Sequence, residues 1–139
     1  MVWDEHQHTP WCEVARSRWA LLTSGSKSFN IPALTGAYGL IGDDRSREAY
    51  LNALKNRDAL SSPSVPALVA HIAAYQQGAP WLDALRDYLQ GNLHYVADAL
   101  NGAFAEIHWQ PPQSTYLAWI DLQPLGVDDR ALQKALIEQ

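Results

Sequence analysis

Two short apolar runs, separated by a small polar stretch, mark the first third of the chain. Residues 18–23 (RWALLT) are long enough to form a buried strand, and residues 36–42 (GAYGLIG) are typical of a second strand. The three glycines of the second run suggest that something else in the structure approaches this backbone closely. Residues 24–28 between the runs are small and polar, so we expect a loop there, and residues 1–15 are expected to be mostly irregular.

Helical periodicity dominates the middle of the chain. Asp44 can cap a helix over residues 45–57. Residues 61–64 (SSPS) form a loop and cap before a second helix, which extends to Gln77 and is stopped by Gly78. Pro80 suits the first turn of a third helix. In that helix apolar side chains recur at steps of three and four, which predicts about five turns with one apolar stripe. The stripe consists of Leu82, Leu85, Leu89, Leu93, Val96 and Leu100.

The hydrophobic period changes to two after residue 102. Ile107 and Trp109 alternate with polar neighbours, which predicts a strand that ends at Pro111. Residues 115–121 (TYLAWID) predict a further strand. Asp128 can then cap a last helix, which carries Leu132, Ala135 and Leu136 on one face.

These elements predict an α/β fold with a domain boundary near residue 102. Residues 1–102 hold two predicted strands and several helices, and residues 103–139 hold a strand–strand–helix unit. The first residues show no clear starting element, and the last helix reaches the final residue without a stop signal. We therefore expect the chain to be an internal piece of a longer protein.

Composition and charge narrow the class of function. The chain has 139 residues, of which 47% are apolar and 18% charged, and this excludes a disordered chain. A net charge of -5 without a Lys/Arg cluster argues against nucleic acid or anionic membrane as partners. The single cysteine, Cys12, excludes an internal disulfide, and no apolar run approaches the roughly 20 residues of a membrane span. We expect a cytoplasmic protein.

The most informative candidate for chemistry is Lys27, which follows the first predicted strand within the polar stretch TSGSKSFN. Small residues there allow backbone N–H groups to point at an anion, and Ser24 and Ser26 add hydroxyl donors. A partly desolvated lysine can act as a nucleophilic amine. A phosphorylated aldehyde suits both features, and pyridoxal phosphate is such a molecule. Taken alone, the spacing also fits a surface loop with a solvated lysine.

The segment SGSKSFNIPALTGAYGLI resembles the lysine segment of the class I and II (fold-type I) pyridoxal-phosphate-dependent aminotransferase superfamily. It is most similar to the cystathionine β-lyase branch, which contains carbon–sulfur lyases, and to enterobacterial members that also modulate the maltose regulon. The resemblance continues through SSPSVPALVAHIAAYQQGAPWLDALRDYL and PPQSTYLAWIDL, and so covers nearly the whole chain. It implies that residues 1–102 are the later part of the large cofactor-binding domain. Residues 103–139 would then begin the small α+β domain.

The resemblance also implies roles for individual residues. Lys27 matches the lysine that forms a Schiff base with pyridoxal phosphate, and Ser24 matches a serine that contacts the cofactor phosphate. Ser26 matches the small residue before the lysine and is a further candidate phosphate contact. Many aminotransferases carry an arginine eight residues after the lysine, but Thr35 occupies that position here. Other parts of the family's site fall outside the segments that match, so we expect only part of a cofactor site.

The activity implied by the resemblance is β-elimination on a sulfur amino acid such as cystathionine, which releases a thiol, pyruvate and ammonia. Lys27 would hold the cofactor and later take the Cα proton as general base. The same lysine would serve a class I and II aminotransferase, so that alternative stays open. A second alternative is a non-catalytic regulator that binds a transcription activator of maltose genes. The intact parent is expected to be a homodimer with an amino-acid substrate.

Other polar residues are assigned structural roles. His6 and His8 form an H-x-H pair without an obvious third ligand, so a surface loop is favoured and no metal is expected. His71 lies on a predicted helix, where we expect a hydrogen-bonded polar side chain. Cys12 lacks a basic partner in the sequence and is interpreted as a structural thiol. Trp119, on the last predicted strand with Tyr116 and Asp121, is expected to pack.

Overall fold

The computed structural model describes residues 1–3, 5–60 and 62–138, and these form two compact units. One unit is Gln7–Ala84, and the other combines Met1–His6 with Leu85–Gln139. The domain boundary expected near residue 102 concerns the intact protein and stays a prediction. Among the described residues, no helix combines the length and apolar character needed to cross a membrane.

The Gln7–Ala84 unit begins with a short helix, α1 (Trp11–Val14), and a two-stranded antiparallel sheet. Strand β1 (Ala20–Thr23) pairs with β2 (Tyr38–Ile41), with Ala20 opposite Ile41 and Thr23 opposite Tyr38. Both strands lie within the predicted runs. The short helix α1 falls in a segment that was expected to be mostly irregular, and it has no side-chain cap.

The close approach expected at the glycines of residues 36–42 comes from side chains and not from another backbone. A Cβ atom at Gly39 would lie 2.9 Å from the Leu22 side chain, and one at Gly42 would overlap Nε1 of the Trp19 ring and lie 2.6 Å from its Cε2. The predicted close approach to this backbone is therefore present. Glycine is needed here because the facing strand and the residue before it present bulky side chains across the pair.

Helix α2 (Asp44–Asn52) continues into a π-helical turn over Ala53–Arg57, so the predicted helix is present with a distorted last turn. Its cap differs from the prediction, because Asp43 and not Asp44 precedes the helix. The extended backbone of Asp43 lets its carboxylate accept a hydrogen bond from Ser46 N at 2.9 Å. Asp44 lies inside the first turn and pairs with Arg47.

Helix α3 (Val65–Gln77) begins and ends as predicted. Ser64 Oγ accepts a hydrogen bond from Ala67 N at 3.3 Å, and Gly78 follows the last helical residue. Ser61, part of the predicted loop before this helix, lies outside the described residues. Ala67 is buried and contributes to the small core of this unit.

Helix α4 (Ala79–Ala103) carries the predicted apolar stripe. Leu93 is buried and the other five members of the stripe are half-buried, which confirms the stripe as the inward face. In the unit that contains most of this helix, the buried side chains are Trp3, Leu93, Ala97 and Ile107. Trp3 also donates from its indole Nε1 to Pro112 O at 2.7 Å, which links the first residues to the proline pair.

The two strands predicted after residue 102 were wrong. Neither the segment around Ile107 and Trp109 nor residues 115–121 form a strand in the described part of the chain. Pro111 and Pro112 have no N–H to offer a ladder, and Trp109 bonds through its backbone to the Asn101 side chain. An isolated antiparallel bridge joins Val2 to Ser114.

The last helix, α5 (Asp129–Glu138), follows a 3-10 turn over Gln123–Leu125. The predicted cap is confirmed, because Asp128 Oδ1 accepts hydrogen bonds from Arg130 N and Ala131 N, both at 2.9 Å. The expected apolar face is only partly covered. Leu132 is half-buried, whereas Leu136 is exposed.

Candidate functional site

Lys27 lies in a tight turn that follows β1 directly. Backbone hydrogen bonds build this turn: Phe29 N donates to Gly25 O at 3.0 Å and Ile31 N donates to Ser26 O at 2.9 Å. The Lys27 side chain is exposed. Its ammonium group forms no hydrogen bond or ion pair within the described ranges, so no protein partner must be displaced before the amine reacts.

Ser24 connects three segments through one hydroxyl group. Its Oγ donates to Gly36 O at 2.5 Å, which joins the lysine turn to the residue that leads into β2. The same oxygen accepts a hydrogen bond from Ser26 N at 3.1 Å and lies 3.3 Å from His71 Nε2 of α3. The expectation that His71 is a hydrogen-bonded polar side chain is confirmed.

The Ser26 hydroxyl is free, in contrast to that of Ser24. No hydrogen bond of this side chain is present within residues 1–3, 5–60 and 62–138, and the residue is half-buried. Ser26 is therefore a hydroxyl donor beside Lys27 that is available to a ligand.

Ser24 and Ser26 line an open cleft of about 730 Å³. Its other walls come from the segment before β2, the end of α2 and the loop before α3, and they include Thr35, Gly36, Tyr50 and Leu54. Lys27 follows the cleft wall in sequence and is not among the lining residues. None of the lining residues in the described part of the chain is charged, so a bound anion would be met by hydroxyl and backbone donors.

The residues present fit a phosphorylated aldehyde. Hydroxyl groups are suitable donors to phosphate oxygens, and the cleft has the volume of an ordinary small-molecule site. An exposed amine without a partner can condense with an aldehyde. The Ser24 hydroxyl proton, however, is engaged by Gly36 O, so this group has to rotate before it can donate to a phosphate.

Four aromatic residues pack beside the turn and were missed by the sequence analysis. The ring centroids of Phe29 and Tyr75 lie 5.6 Å apart at 74°, and those of Tyr38 and Tyr75 lie 5.8 Å apart at 77°. Phe29 also stacks on Trp81 at 6.3 Å. No local pattern could have revealed this cluster, because its members are brought together from the turn, β2, α3 and α4.

The tyrosine hydroxyls of this cluster interact directly. Tyr38 donates from its hydroxyl to that of Tyr75 at 3.2 Å. Partial burial, followed by the hydrogen bond with Tyr38 and the charge of Tyr38, raises the pKa of Tyr75 from 10.0 to about 12. Tyr75 is therefore a neutral hydrogen-bonding group near neutral pH.

The remaining candidates from the sequence are His6, Cys12 and Trp119. The His6 Nε2 atom is 3.9 Å from Glu5 Oε1, and no cluster of three or more possible metal ligands occurs within the described residues. Cys12 is exposed, so its interpretation as a structural thiol finds no support in burial. Trp119 is 89% exposed, because the strand that was expected to hold it does not form, and the prediction that it packs was wrong.

The family model for aminotransferase class I and II matches residues 1–139. The chain belongs to this family. Among curated relatives, it is 74% identical to Protein MalY of Escherichia coli (strain K12) over all 139 of its residues, which make up 36% of that protein. It is 30% identical to cystathionine beta-lyase PatB of Bacillus subtilis (strain 168), over 96% of this chain and 35% of PatB. The chain thus spans about a third of the length of these relatives.

Solved structures show the same fold. The PLP-bound putative aminotransferase from Clostridium difficile 630 matches 99% of this chain and 36% of its own, with a TM-score of 0.87 and 24% identity. The PLP-bound C-S lyase from Staphylococcus hominis matches 79% of this chain and 28% of its own, with a TM-score of 0.67 and 31% identity. The α/β class and the fold of this aminotransferase family are therefore confirmed, as is the resemblance read from the lysine segment.

Proposed function

We propose that the intact protein containing this chain is a pyridoxal-phosphate-dependent carbon–sulfur β-lyase of the cystathionine β-lyase type. It would release a thiol, pyruvate and ammonia from a sulfur amino acid. The observation that carries the proposal is the lysine turn: among the described residues, neither the Lys27 amine nor the hydroxyl of the preceding Ser26 has a protein partner, and Ser26 lines an open cleft. The names of PatB, a cystathionine beta-lyase, and of the PLP-bound C-S lyase support the reaction class and the cofactor.

Lys27 would perform two tasks through one atom, Nζ. It would first attach the cofactor covalently, and after the substrate amine has replaced it, the free amine would take the Cα proton as general base. Pyridoxal phosphate supplies an electron sink for the negative charge that develops at Cα, which permits loss of the β-thiolate. Because Ser26 and Lys27 are consecutive residues of the turn, the amine would stay close to a phosphate bound by Ser26.

Ser24 and Ser26 would bind the phosphate group. Ser26 can donate at once, because its hydroxyl has no partner within the described ranges. Ser24 would donate after its hydroxyl turns away from Gly36 O, and its oxygen would still accept from Ser26 N. Thr35 lines the same cleft and offers a further hydroxyl at the position where many aminotransferases carry arginine.

A class I and II aminotransferase is the second candidate, because the family model covers the whole chain and the same lysine would serve transamination. The two reactions differ in their need for a keto acid. A lyase releases pyruvate from cystathionine without any acceptor, whereas an aminotransferase does not turn over until a keto acid is added.

The resemblance to enterobacterial members that modulate the maltose regulon gives a third candidate, a regulator that binds a transcription activator of maltose genes. This role would not need the lysine amine, so it can coexist with the lyase. We also propose a cytoplasmic homodimer as the working form. Capture of the activator by a Lys27→Ala variant would support the regulatory role separately from catalysis.

The decisive test replaces Lys27 in the intact protein. Lys27→Ala should lose the visible absorption band of the bound cofactor and the release of pyruvate from cystathionine in the absence of a keto acid. Lys134→Ala is the matched control, since this lysine is exposed on α5 and pairs only weakly with Glu138 at 3.9 Å. An unchanged visible spectrum in Lys27→Ala would refute the assignment of the lysine.

A further inference from the structure

His71 reaches the lysine turn from α3. Its ring is half-buried, with Nε2 at 3.3 Å from Ser24 Oγ and Nδ1 at 2.9 Å from Ala67 O, one helical turn earlier. His71 therefore connects the helix backbone to the hydroxyl group that joins the turn and the segment before β2.

The contact with Ala67 fixes the tautomer of the ring. A carbonyl oxygen can only accept a hydrogen bond, so Nδ1 must carry the proton that it donates to Ala67 O. In the neutral ring, Nε2 is then an acceptor that faces Ser24 Oγ. The Ser24 hydroxyl has one proton and two protein acceptors, Gly36 O at 2.5 Å and His71 Nε2 at 3.3 Å.

Two glycines leave space for the imidazole ring. A Cβ atom at Gly36 would lie 3.1 Å from His71 Cε1, and one at Gly25 would lie 3.5 Å from His71 Cδ2. The Gly25 position is also close to Phe29 and Tyr75, each at 3.2 Å. The ring thus fills a gap between the lysine turn and the segment before β2, and its position is determined by packing as well as by hydrogen bonds.

We propose that His71 is a positioning residue for the cofactor phosphate. By fixing the position of the Ser24 hydroxyl, it would determine where the phosphate binds relative to Lys27. Ser26 N, Gly36 O and His71 Nε2 surround Ser24 Oγ and fix its place at the wall of the cleft. When the Ser24 hydroxyl rotates to donate its hydrogen bond to a phosphate oxygen, the Oγ atom itself does not need to move. This inference rests on the proposed function, because it assigns the phosphate to Ser24.

The proposal predicts an effect that is specific for the phosphate. Without the imidazole, Ser24 Oγ loses a neighbour that fixes its position, and a weakened hydrogen bond from this hydroxyl to the phosphate should reduce the affinity for pyridoxal phosphate by about 3- to 10-fold. Pyridoxal, which has the aldehyde but no phosphate, does not use Ser24, so its affinity should stay within about twofold of wild type. A purely structural role of His71 would weaken both ligands to the same extent.

The experiment compares four variants of the intact protein, freed of cofactor: His71→Phe, His71→Gln, Ser24→Ala and the double variant Ser24→Ala/His71→Phe. Dissociation constants for pyridoxal phosphate and pyridoxal are measured by visible absorbance, and circular dichroism verifies the fold. The glutamine amide can reach the position of Nε2 and hydrogen-bond Ser24, so His71→Gln should recover most of the affinity. His94→Phe, an exposed histidine on α4, is the matched control.

Two results would support the proposal: a loss in His71→Phe that is confined to pyridoxal phosphate, and a double variant no weaker than Ser24→Ala alone. Equal losses for both ligands, or losses that add in the double variant, would overturn it.

A second measurement does not depend on the cofactor or on a variant at residue 71. In 15N spectra of histidine-labelled apo-protein, His71 should be protonated at Nδ1, and Ser24→Ala should shift its Nε2 signal. No shift would overturn the contact.

A different result would refute the proposed function. If pyridoxal phosphate gives the same spectrum with Lys27→Ala as with wild type, the cofactor is not held at Lys27 and the lyase proposal fails. If the spectrum depends on Lys27 while His71→Phe binds pyridoxal phosphate as tightly as wild type, only the positioning role of His71 fails.

Discussion

The side chain of Asn101 forms two hydrogen bonds with the backbone of a single residue, Trp109. Asn101 Nδ2 donates to Trp109 O and Asn101 Oδ1 accepts from Trp109 N, both at 2.9 Å. The amide group thereby takes the place of a neighbouring strand for this residue. Trp109 in turn donates from Nε1 to Trp119 O at 2.7 Å, so the end of α4 organises the segment that follows.

Replacement of Asn101 by leucine should release this segment. Both backbone groups of Trp109 would lose their partner, and an unsatisfied half-buried polar group costs about 1–3 kcal/mol. We expect the Trp109 amide to exchange its hydrogen roughly tenfold faster or more in Asn101→Leu. Asn101→Asp keeps one acceptor and should show a smaller increase. Asn92→Leu, an exposed position of α4, is the control, and equal exchange rates in Asn101→Leu and Asn92→Leu would contradict this account.

Helix α2 should lose stability in acid because of its cap. The backbone hydrogen bond from Ser46, helped by the Ser46 side chain and by Arg18 and Arg45, holds the pKa of Asp43 below its usual value of 3.8. A carboxyl group whose pKa is lower in the folded state stabilises the fold above its unfolded pKa. This contribution begins to decrease as the pH falls below 3.8, the pKa of the unfolded chain. It is lost once the pH has fallen below the lower pKa of the folded state.

The variant Asp43→Asn separates the cap from its charge. Asparagine is a comparably good N-cap but does not titrate, so the exchange of α2 amides should become less sensitive to pH below 3.8. Asp43→Ala should weaken the helix at every pH. Asp44→Asn is the control, because Asp44 lies within the helix and is not its cap. If Asp43→Asn retained the full acid sensitivity of wild type, another group would be responsible.

The parts of the fold that the sequence predicts well depend on neighbours in the chain. The stripe of α4 follows from a 3.6-residue period. Ser64 and Asp128 cap their helices through hydrogen bonds to backbone N–H groups that lie no more than three residues away in the chain. The strands expected after residue 102 failed because pairing depends on distant partners. A period of two cannot show that the Asn101 side chain satisfies Trp109.

The candidate site also combines features that a local segment determines with features that depend on distant residues. Lys27 and its flanking serines are one continuous segment, so their chemistry could be read directly from the sequence. His71 lies 47 residues from Ser24, and its contact with that hydroxyl required the packing of α3 on the turn. The two hydroxyls looked equivalent in sequence, and the structure distinguishes them: Ser24 is engaged and Ser26 is free within the described residues.

The Tyr38–Tyr75 pair should be visible in an alkaline titration. Because the pKa of Tyr75 is raised from 10.0 to about 12, the folded state binds this proton more tightly than the unfolded chain. The stabilisation is fully present below pH 10 and is lost as the pH rises toward 12. Tyr38→Phe removes the hydrogen bond and the neighbouring charge, so it should lower the pKa of Tyr75. Titration of ring-labelled tyrosine by NMR measures this, with Tyr95→Phe, an exposed residue of α4, as the control. Ionisation of Tyr75 near pH 10 in the wild-type protein would contradict it.

Two glycine-to-alanine changes should affect stability in opposite directions. Gly91 lies inside α4 with nothing within 4 Å of a built Cβ, so Gly91→Ala should stabilise the protein by about 0.5–1 kcal/mol through lower chain entropy. A Cβ atom at Gly42 would overlap Nε1 of the Trp19 ring and lie 2.6 Å from its Cε2, so Gly42→Ala should destabilise the protein by about 1–3 kcal/mol through overpacking.

Thermal unfolding of the two variants measures the signs, and the indole N–H signal of Trp19 identifies the cause. That signal should move in Gly42→Ala, because the ring must shift to admit the methyl group, and should stay in place in Gly91→Ala. A combined Gly42→Ala/Trp19→Leu variant provides a further control, since removal of the ring should reduce the cost of the methyl group at residue 42. If that cost persisted without the Trp19 ring, the strain would lie in the backbone that follows β2 and not in the side-chain contact.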